Sequence, residues 1–526
     1  MQTKATRALP GTQPGAGWRM LAGVVSALAA VGVGHGIAAL INPNASPMIA
    51  IGSTLIDAAP TPAKEFAVKT FGTYDKPILL GSIGVVLLVF AAVLGLIAWR
   101  RQLVALAGIS LLGIAGMIAA VYRGGAVDGV PSLVAGLVGI LILRQLSTVK
   151  GAAAEQAEAT PGSPTTPGGG PDGSRRTFLI GVAAAAVVAA VGGGAGIVIG
   201  RTKQAAAAAR RALGLPAAAS AAKAIPAGAQ LSGMTPFTTS IDKFYRVDIA
   251  LVTPSIDAES WSLTIDGMVD NPVTLTYDDL MKMPMIERNI TLTCVSNEVG
   301  GPYVGNAKWL GVPFADIIKM VGVQEGVEQV YSHSEDGGYT CSTPYQAVSD
   351  GRDAMIVVGM NGEVLPDKNG FPARMLVPGL FGFVSATKWL KRIEFTTYAG
   401  HSAYWTDRKW ATDAPILTQS RIDVPKSLST LPKDKSVLAG VAWAQHRGIE
   451  KVEVRIDGGE WKEAKLADDA GIDMWRQWSY VYEGEAGRHS AQVRATDLTG
   501  ETQPEARTKV FPSGARGWHE IQFTVE

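Results

Sequence analysis

The chain has two thiols, Cys294 and Cys341. Cys294 ends an alternating run that starts at Asn289, and it opens onto Val295-Ser296-Asn297-Glu298-Val299-Gly300-Gly301, a polar loop by composition. Three chemistries suit a cysteine so placed. It can be a buried small hydrophobe. It can pair with Cys341 in an oxidising compartment. Its thiolate can hold a soft metal. Two cysteines cannot build a disulfide framework or a four-thiolate zinc site, and the six histidines are too scattered for a histidine-built metal centre. A second motif concerns transport. Arg175-Arg176 stands between Ser174 and Thr177-Phe178-Leu179, ahead of a weakly hydrophobic run, which is the form of a twin-arginine export signal. That route carries folded proteins, as a cofactor inserted before export requires.

The elements that must position these groups divide a chain of 526 residues into several units. Hydrophobic residues make up 47% and charged residues 18%, against roughly 25% charged in an average soluble protein. Mean hydropathy is +0.18, so part of the chain is expected in lipid. Net charge is +1, from 47 basic and 46 acidic residues, without the basic excess of a nucleic-acid binder. The apolar excess lies at 21–41, 77–98, 103–122, the shorter 129–143 and 177–200. About 20 apolar residues cross a bilayer core. About five spans are therefore expected: a four-helix membrane region over 1–146 and a fifth helix over 177–200. Lys4, Arg7 and Arg19 precede the first run, Arg100 and Arg101 follow the second, and Arg144 and Lys150 follow the fourth, which puts the N-terminus and these turns in the cytoplasm. Residues 147–176 read as a flexible linker ending in the twin-arginine motif, and no small-residue cleavage site is obvious before Arg201. Arg201, Lys203, Arg210 and Arg211 oppose the simple charge rule, which is weak ahead of long translocated domains. The rest of the chain is expected on the extracytoplasmic side of the cell membrane.

Residues 201–234 read as an Ala-rich linker, and from 235 the pattern is globular. Trp261-Ser262-Leu263-Thr264-Ile265 alternates as a half-buried strand, and Asp266-Gly267 turns. Pro313 opens a helix whose Phe314, Ile317, Ile318 and Val321 share one face, and Gly322 stops it. Further strands are expected over 354–360, 374–379 and 389–397. Strands and helices without a regular βαβ rhythm indicate an α+β domain over 235–414. Short strands over 437–443, 451–456, 475–482, 490–496 and 521–525, with a hairpin turn at Asp457-Gly458-Gly459, read as an immunoglobulin-like β-sandwich over 415–526.

Four ordered segments resemble the sulfite oxidase family of molybdopterin enzymes. They are Asp242-Lys243-Phe244-Tyr245-Arg246-Val247-Asp248; Thr291-Leu292-Thr293-Cys294-Val295-Ser296-Asn297 with Trp309-Leu310-Gly311; Gly338-Tyr339-Thr340-Cys341; and Asn369-Gly370-Phe371-Pro372-Ala373-Arg374 with Thr387-Lys388-Trp389. The resemblance covers about 235–525, and the sandwich resembles that family's dimerisation domain. It implies one molybdopterin per chain with Cys294 as the protein ligand to molybdenum, and Tyr339 beside the metal as a catalytic residue. It also implies pterin contacts from Asp242, Tyr245, Arg246, Ser334, Asn369, Arg374, Ser385, Thr387 and Lys388. Arginine suits a phosphate through bidentate contacts, and lysine acts as a point charge.

This sequence departs from the family where substrate is bound. Sulfite oxidisers carry basic residues shortly after the ligand cysteine, where this chain has Glu298 and Val299. The family's histidine before Gly-Phe-Pro is Asn369, as in its methionine-sulfoxide-reducing branch. The expected activity is oxygen-atom transfer on a small, uncharged substrate by a membrane-anchored molybdopterin oxidoreductase. The alternatives are a sulfite dehydrogenase and a non-catalytic, membrane-anchored binding module. Only His35 lies within an apolar run, so a bis-histidine haem is not expected in one chain. The expected partners are a membrane, a small-molecule substrate, an unnamed electron carrier and a second copy through the C-terminal domain, with no nucleic acid.

Overall fold

The structure, a computed structural model, describes residues 15–60, 75–147, 213–433 and 436–526, with isolated positions between 63 and 71, between 179 and 187, and Arg210. The linker, the twin-arginine motif and nearly all of the fifth apolar run lie outside the described residues. The chain divides into two compact units, residues 1–205 with 250–252, and 206–249 with 253–526.

The first unit contains helices α1 (Ala16–Ile41), α2 (Pro47–Ala58), α3 (Asp75–Ala98), α4 (Gln102–Gly124) and α5 (Val130–Ser147). By length and composition, α1, α3, α4 and the segment Ala126–Ser147 can each cross a membrane. The run at 129–143, marginal by itself, reaches 22 residues because a 3-10 turn precedes α5 and the helix continues to Ser147. The short α2 was not anticipated, since its 12 residues fall below any span length. Small residues let the backbones approach: a Cβ on Gly23 would lie 2.0 Å from the carbonyl oxygen of Ala91, and one on Gly95 2.2 Å from that of Arg19. Large apolar side chains face outward instead, with Val86 66%, Leu111 67% and Leu141 63% exposed. That inverts the arrangement of a bundle packed for water.

The second unit is built on four sheets. Its first part carries β1 (Ser262–Gly267), β2 (Val273–Thr276), α6 (Tyr277–Lys282), β3 (Ile286–Thr293), β4 (Val304–Pro313), α7 (Phe314–Val321), β5 (Gln329–Ser334), β6 (Thr340–Pro344), α8 (Tyr345–Ser349), β7 (Met355–Met360), β8 (Glu363–Val364), β9 (Arg374–Leu376), α9 (Gly382–Ser385) and β10 (Leu390–Thr396). One sheet runs β2-β1-β10-β5-β6, and another runs β3-β4-β7-β8 with β9 paired to β7. Helix α7 buries Phe314, Ile317 and Val321, and Gly322 ends it with a left-handed φ of 64°. Pro313 caps this helix rather than occupying its first turn.

The second part carries β11 (Gln419–Val424), β12 (Thr430–Leu431), β13 (Val437–Trp443), β14 (Ile449–Ile456), β15 (Trp461–Glu463), β16 (Lys465–Leu466), β17 (Arg476–Val481), β18 (Gly487–Asp497) and β19 (His519–Val525). The sheets β11-β13-β17-β16 and β12-β19-β18-β14-β15 enclose Leu438, Val454, Trp478, Val493 and Phe523. Asp457 and Gly458 both take positive φ, 50° and 71°, as a tight hairpin turn requires. The turn closes β14 onto the short β15.

Two boundaries differ from the sequence expectation. The sandwich is not a separate body after residue 414: Val441, Trp443 and Trp475 belong to the same buried cluster as Trp309, Phe314 and Val357. Residues 213–234 are not a spacer either. Ala219 N–H donates to Met285 O and Glu287 N–H to Ser220 O, both at 2.8 Å, and Ala229 is fully buried. This segment covers the free edge at the start of β3, which would otherwise expose unpaired backbone groups.

Candidate active site

Strand β3 delivers Cys294. Its register against β4 pairs Thr293 with Val304, and Cys294 N–H then donates to Tyr303 O at 3.0 Å. The half-buried thiol lies 2.9 Å from Ser296 Oγ. Burial pushes the thiol pKa up, while the Ser296 hydrogen bond and the charge of Lys388 favour the thiolate. Cys341 is buried on β6, directs its thiol to Phe383 O at 3.3 Å and is not joined to Cys294.

The cationic side of the site comes from the segment after β8 and from the turn before β10. Arg374 opens β9 and is 6% exposed. Its guanidinium donates to Asn369 O at 3.0 Å and Ala386 O at 3.3 Å, and lies 5.3 Å from the Trp309 ring centroid. Burial pulls its pKa down to about 10, opposed by Tyr245 and Tyr339. Lys388 Nζ donates to Asp248 Oδ2 at 2.7 Å and lies 4.6 Å from the Trp389 ring centroid. Burial lowers its pKa to about 8, opposed by Asp248. Arg246 shares that carboxylate at 2.7 Å.

Tyr245 stacks on Phe244, which meets Trp309 edge-on at 5.5 Å. It lies near enough to Cys294 and Arg374 to sense both charges, and burial raises its phenol pKa. Tyr339 donates its hydroxyl to Phe383 O at 3.1 Å, and its N–H goes to Asp336 at 3.0 Å. Ser334 accepts the Asp336 N–H at 3.2 Å. Thr387 Oγ1 meets Ser332 Oγ at 2.7 Å and supports the Cys341 thiol.

Cys294, Tyr245, Tyr339, Arg374 and Lys388 thus form one electrostatically coupled group, with Arg246 reaching it through Asp248. Two anticipated residues are not brought to it. The Asp242 side chain is 97% exposed, 3.6 Å from Lys368. Ser385 is fully buried, and its hydroxyl binds Leu380 O and Phe381 O of its own turn. Sequence reasoning missed Asp248, the shared counter-ion of Lys388 and Arg246, although it closes the segment that carries Tyr245. It also missed Trp309 as the platform for Arg374, because an aromatic in a strand reads simply as core.

The residues present fit an anionic, hydrogen-bonding cofactor. Among the described residues no carboxylate pairs with Arg374, so a buried cation lacks a counter-ion, an arrangement that is costly unless an anion joins it. Arg374 Nε and Asn369 Oδ1 are both buried without a hydrogen-bond partner among the described residues. A free donor and a free acceptor beside a thiol and a lysine match a pterin carrying amide-like edges and a phosphate. Arg374 and Lys388 would hold the phosphate, Asn369 an N–H of the ring, and Cys294 the metal.

Comparison with known proteins agrees. The family described as oxidoreductase molybdopterin binding domain matches residues 250–405. Sulfite oxidase of Arabidopsis thaliana is 28% identical over 349 residues, covering 54% of this chain and 88% of that protein. The NADH nitrate reductase of Solanum lycopersicum is 28% identical over 318 residues, 48% of this chain and 34% of that enzyme. The solved sulfane dehydrogenase SoxCD of Paracoccus pantotrophus superposes with a TM-score of 0.45 at 22% identity, over 51% of this chain and 77% of that one. The curated relatives are oxidoreductases, which sets aside the alternative of a non-catalytic binding module.

Proposed function

Because the chain belongs to the sulfite oxidase family of molybdopterin-dependent oxidoreductases, we propose that it transfers an oxygen atom to or from a small, uncharged substrate, with Cys294 as the protein ligand to molybdenum. The observation that carries the reading is the buried Arg374, among the described residues without a carboxylate partner and with Nε free, beside an Asn369 Oδ1 free among the same residues, and in the same charged group as Cys294. Molybdenum, when bound, supplies the two-electron chemistry of oxygen-atom exchange. The chain's own residues do the rest. Ser296 and Lys388 favour the thiolate that a soft metal needs, against the penalty of burial. Tyr339, its hydroxyl held by Phe383 O, keeps a proton-bearing oxygen near the thiol. Burial keeps that phenol protonated, so it acts as a donor rather than a base.

Charge near the loop after Cys294 supports an uncharged substrate. Glu298 is exposed. Arg421 reaches the loop at Gly301 O, 2.8 Å away, but is paired with Asp423 at 2.6 Å. One observation favours sulfite as a second reading. Arg408 lies 3.5 Å from the Tyr404 ring centroid, and Tyr404 meets Tyr339 at 6.0 Å, so a cation borders the tyrosine wall. Full-length protein from a cofactor-making host should carry one molybdenum per chain and turn over an uncharged sulfoxide or N-oxide with artificial electron carriers. Protein without molybdenum removes the proposal, and turnover of sulfite alone selects the second reading.

We further propose that the four long apolar helices anchor the enzyme in the cell membrane, and that Arg175-Arg176 direct the catalytic part outward. Replacing both arginines with lysine should leave residues after 200 protected from protease added to intact cells. Cleavage in the double variant equal to that of the parent would reduce the pair to flanking charge.

A further inference from the structure

Strand β3 lies at the edge of its sheet, in the order β3-β4-β7-β8, so one side of its backbone has no strand partner among the described residues. At the Cys294 end, this open edge is closed by the sandwich. Thr291 N–H donates to Asp473 O at 2.9 Å, and Trp475 N–H donates to Thr291 Oγ1 at 2.9 Å. Gln445 Nε2 donates to both Thr291 O and Thr293 Oγ1 at 3.0 Å. Gln445 is fully buried, and Thr293, the residue immediately before Cys294, is 2% exposed. The amide orientation is forced, since the Thr291 carbonyl can only accept. The loop beyond the thiol is held from the same side: Arg421 donates to Gly301 O, and the His519 ring lies against Gly300, where a Cβ would come within 2.2 Å of it. Gly300 also has a φ of +76°, so glycine is required there twice over.

We propose that Gln445 is a positioning residue: from the sandwich, it fixes the strand end that presents the Cys294 thiol, which makes the C-terminal part a component of the active site. A backbone carbonyl and a hydroxyl on alternate residues, gripped by one amide, set both the height and the rotation of the last turn of chain before the thiol. The β4 ladder alone leaves that edge to open, because an unpaired strand end frays more readily than one bonded on both sides. The effect on metal rests on the reading that Cys294 is the ligand; the positioning itself does not.

The test uses full-length, cofactor-free protein treated with iodoacetamide, with alkylation of Cys294 and Cys341 followed separately by mass spectrometry. Gln445→Met should raise the Cys294 rate about tenfold, the scale of two lost hydrogen bonds, and leave Cys341 unchanged. Gln445→Glu keeps the shape without the N–H donors and should do the same. Thr293→Val loses one bond only and serves if the others fold poorly, with a rise of about threefold. Val493→Ala, a cavity in the sandwich's own core, should lower the melting temperature without favouring Cys294. An unchanged Cys294 rate in the Gln445 variants, or the same rise in Val493→Ala, overturns the proposal. In molybdenum-loaded protein, Gln445→Met should shift the sulfur-to-metal absorption band. If Cys294→Ser leaves that band intact while the alkylation result holds, the ligand assignment fails and the positioning role stands.

Discussion

Cys294→Ser should keep the pterin and much of the metal, change the metal's electronic spectrum and lose nearly all turnover. Serine replaces a soft anionic sulfur with a harder oxygen that is a poorer donor at neutral pH. The proposed pterin contacts would not depend on the thiol, because Arg374 and Lys388 are anchored by the Asn369 and Ala386 carbonyls and by Asp248. Cys341→Ser should behave differently. That thiol points to Phe383 O beneath Tyr339 and touches Thr343 and Thr387, so a hydroxyl can take over its hydrogen bond. Its spectrum should match the parent's, with a substantial part of the activity kept. Paired spectra and turnover of the two loaded variants decide the matter, and equal behaviour would remove Cys294 as the ligand.

Arg374→Met should lower retained pterin by about tenfold to a hundredfold, from the loss of one charge-assisted hydrogen bond of about 1.5–3 kcal/mol. The cofactor-free protein should respond little. There the guanidinium is buried, its pKa pulled down to about 10, and no carboxylate among the described residues offsets the burial. Methionine removes that penalty along with two carbonyl hydrogen bonds and the Trp309 contact, so apo stability should change by only about 1 kcal/mol. Pterin content after gel filtration and urea unfolding of apo protein measure the two arms. Full retention of pterin together with a loss of several kcal/mol in the apo state would make Arg374 a structural arginine and take away the main support for the cofactor site.

Local pattern carried much of the fold. Alternation at Trp261–Ile265 became β1, the 3.6-residue repeat of Phe314, Ile317 and Val321 became α7, and Asp457-Gly458 became a hairpin turn. Each depends on neighbours a few residues apart, where periodicity and allowed φ speak directly. The alanine-rich stretch 213–234 misled for the same reason. Small side chains give no periodic signal, yet Ser220 and Ala219 bond to β3 through their backbones, which every sequence possesses. Asp242 and Arg246 stand in one segment, and only the path of the chain decides that one is solvated while the other shares Asp248 with Lys388.

The sequence by itself determined that a thiol ends a strand before a Gly-bearing loop, that an arginine and a lysine follow in a fixed order behind it, and that five apolar runs precede them. Those are properties of composition and short spacing. Only the tertiary structure decided that Arg374 is buried over Trp309 without a counter-ion among the described residues, and that the open edge beside Cys294 is closed by Gln445, 154 residues from Thr291. Burial and hydrogen-bond satisfaction belong to groups that meet in space. A glutamine in a sandwich loop has the same local pattern whether its amide faces water or the carbonyl of a distant strand.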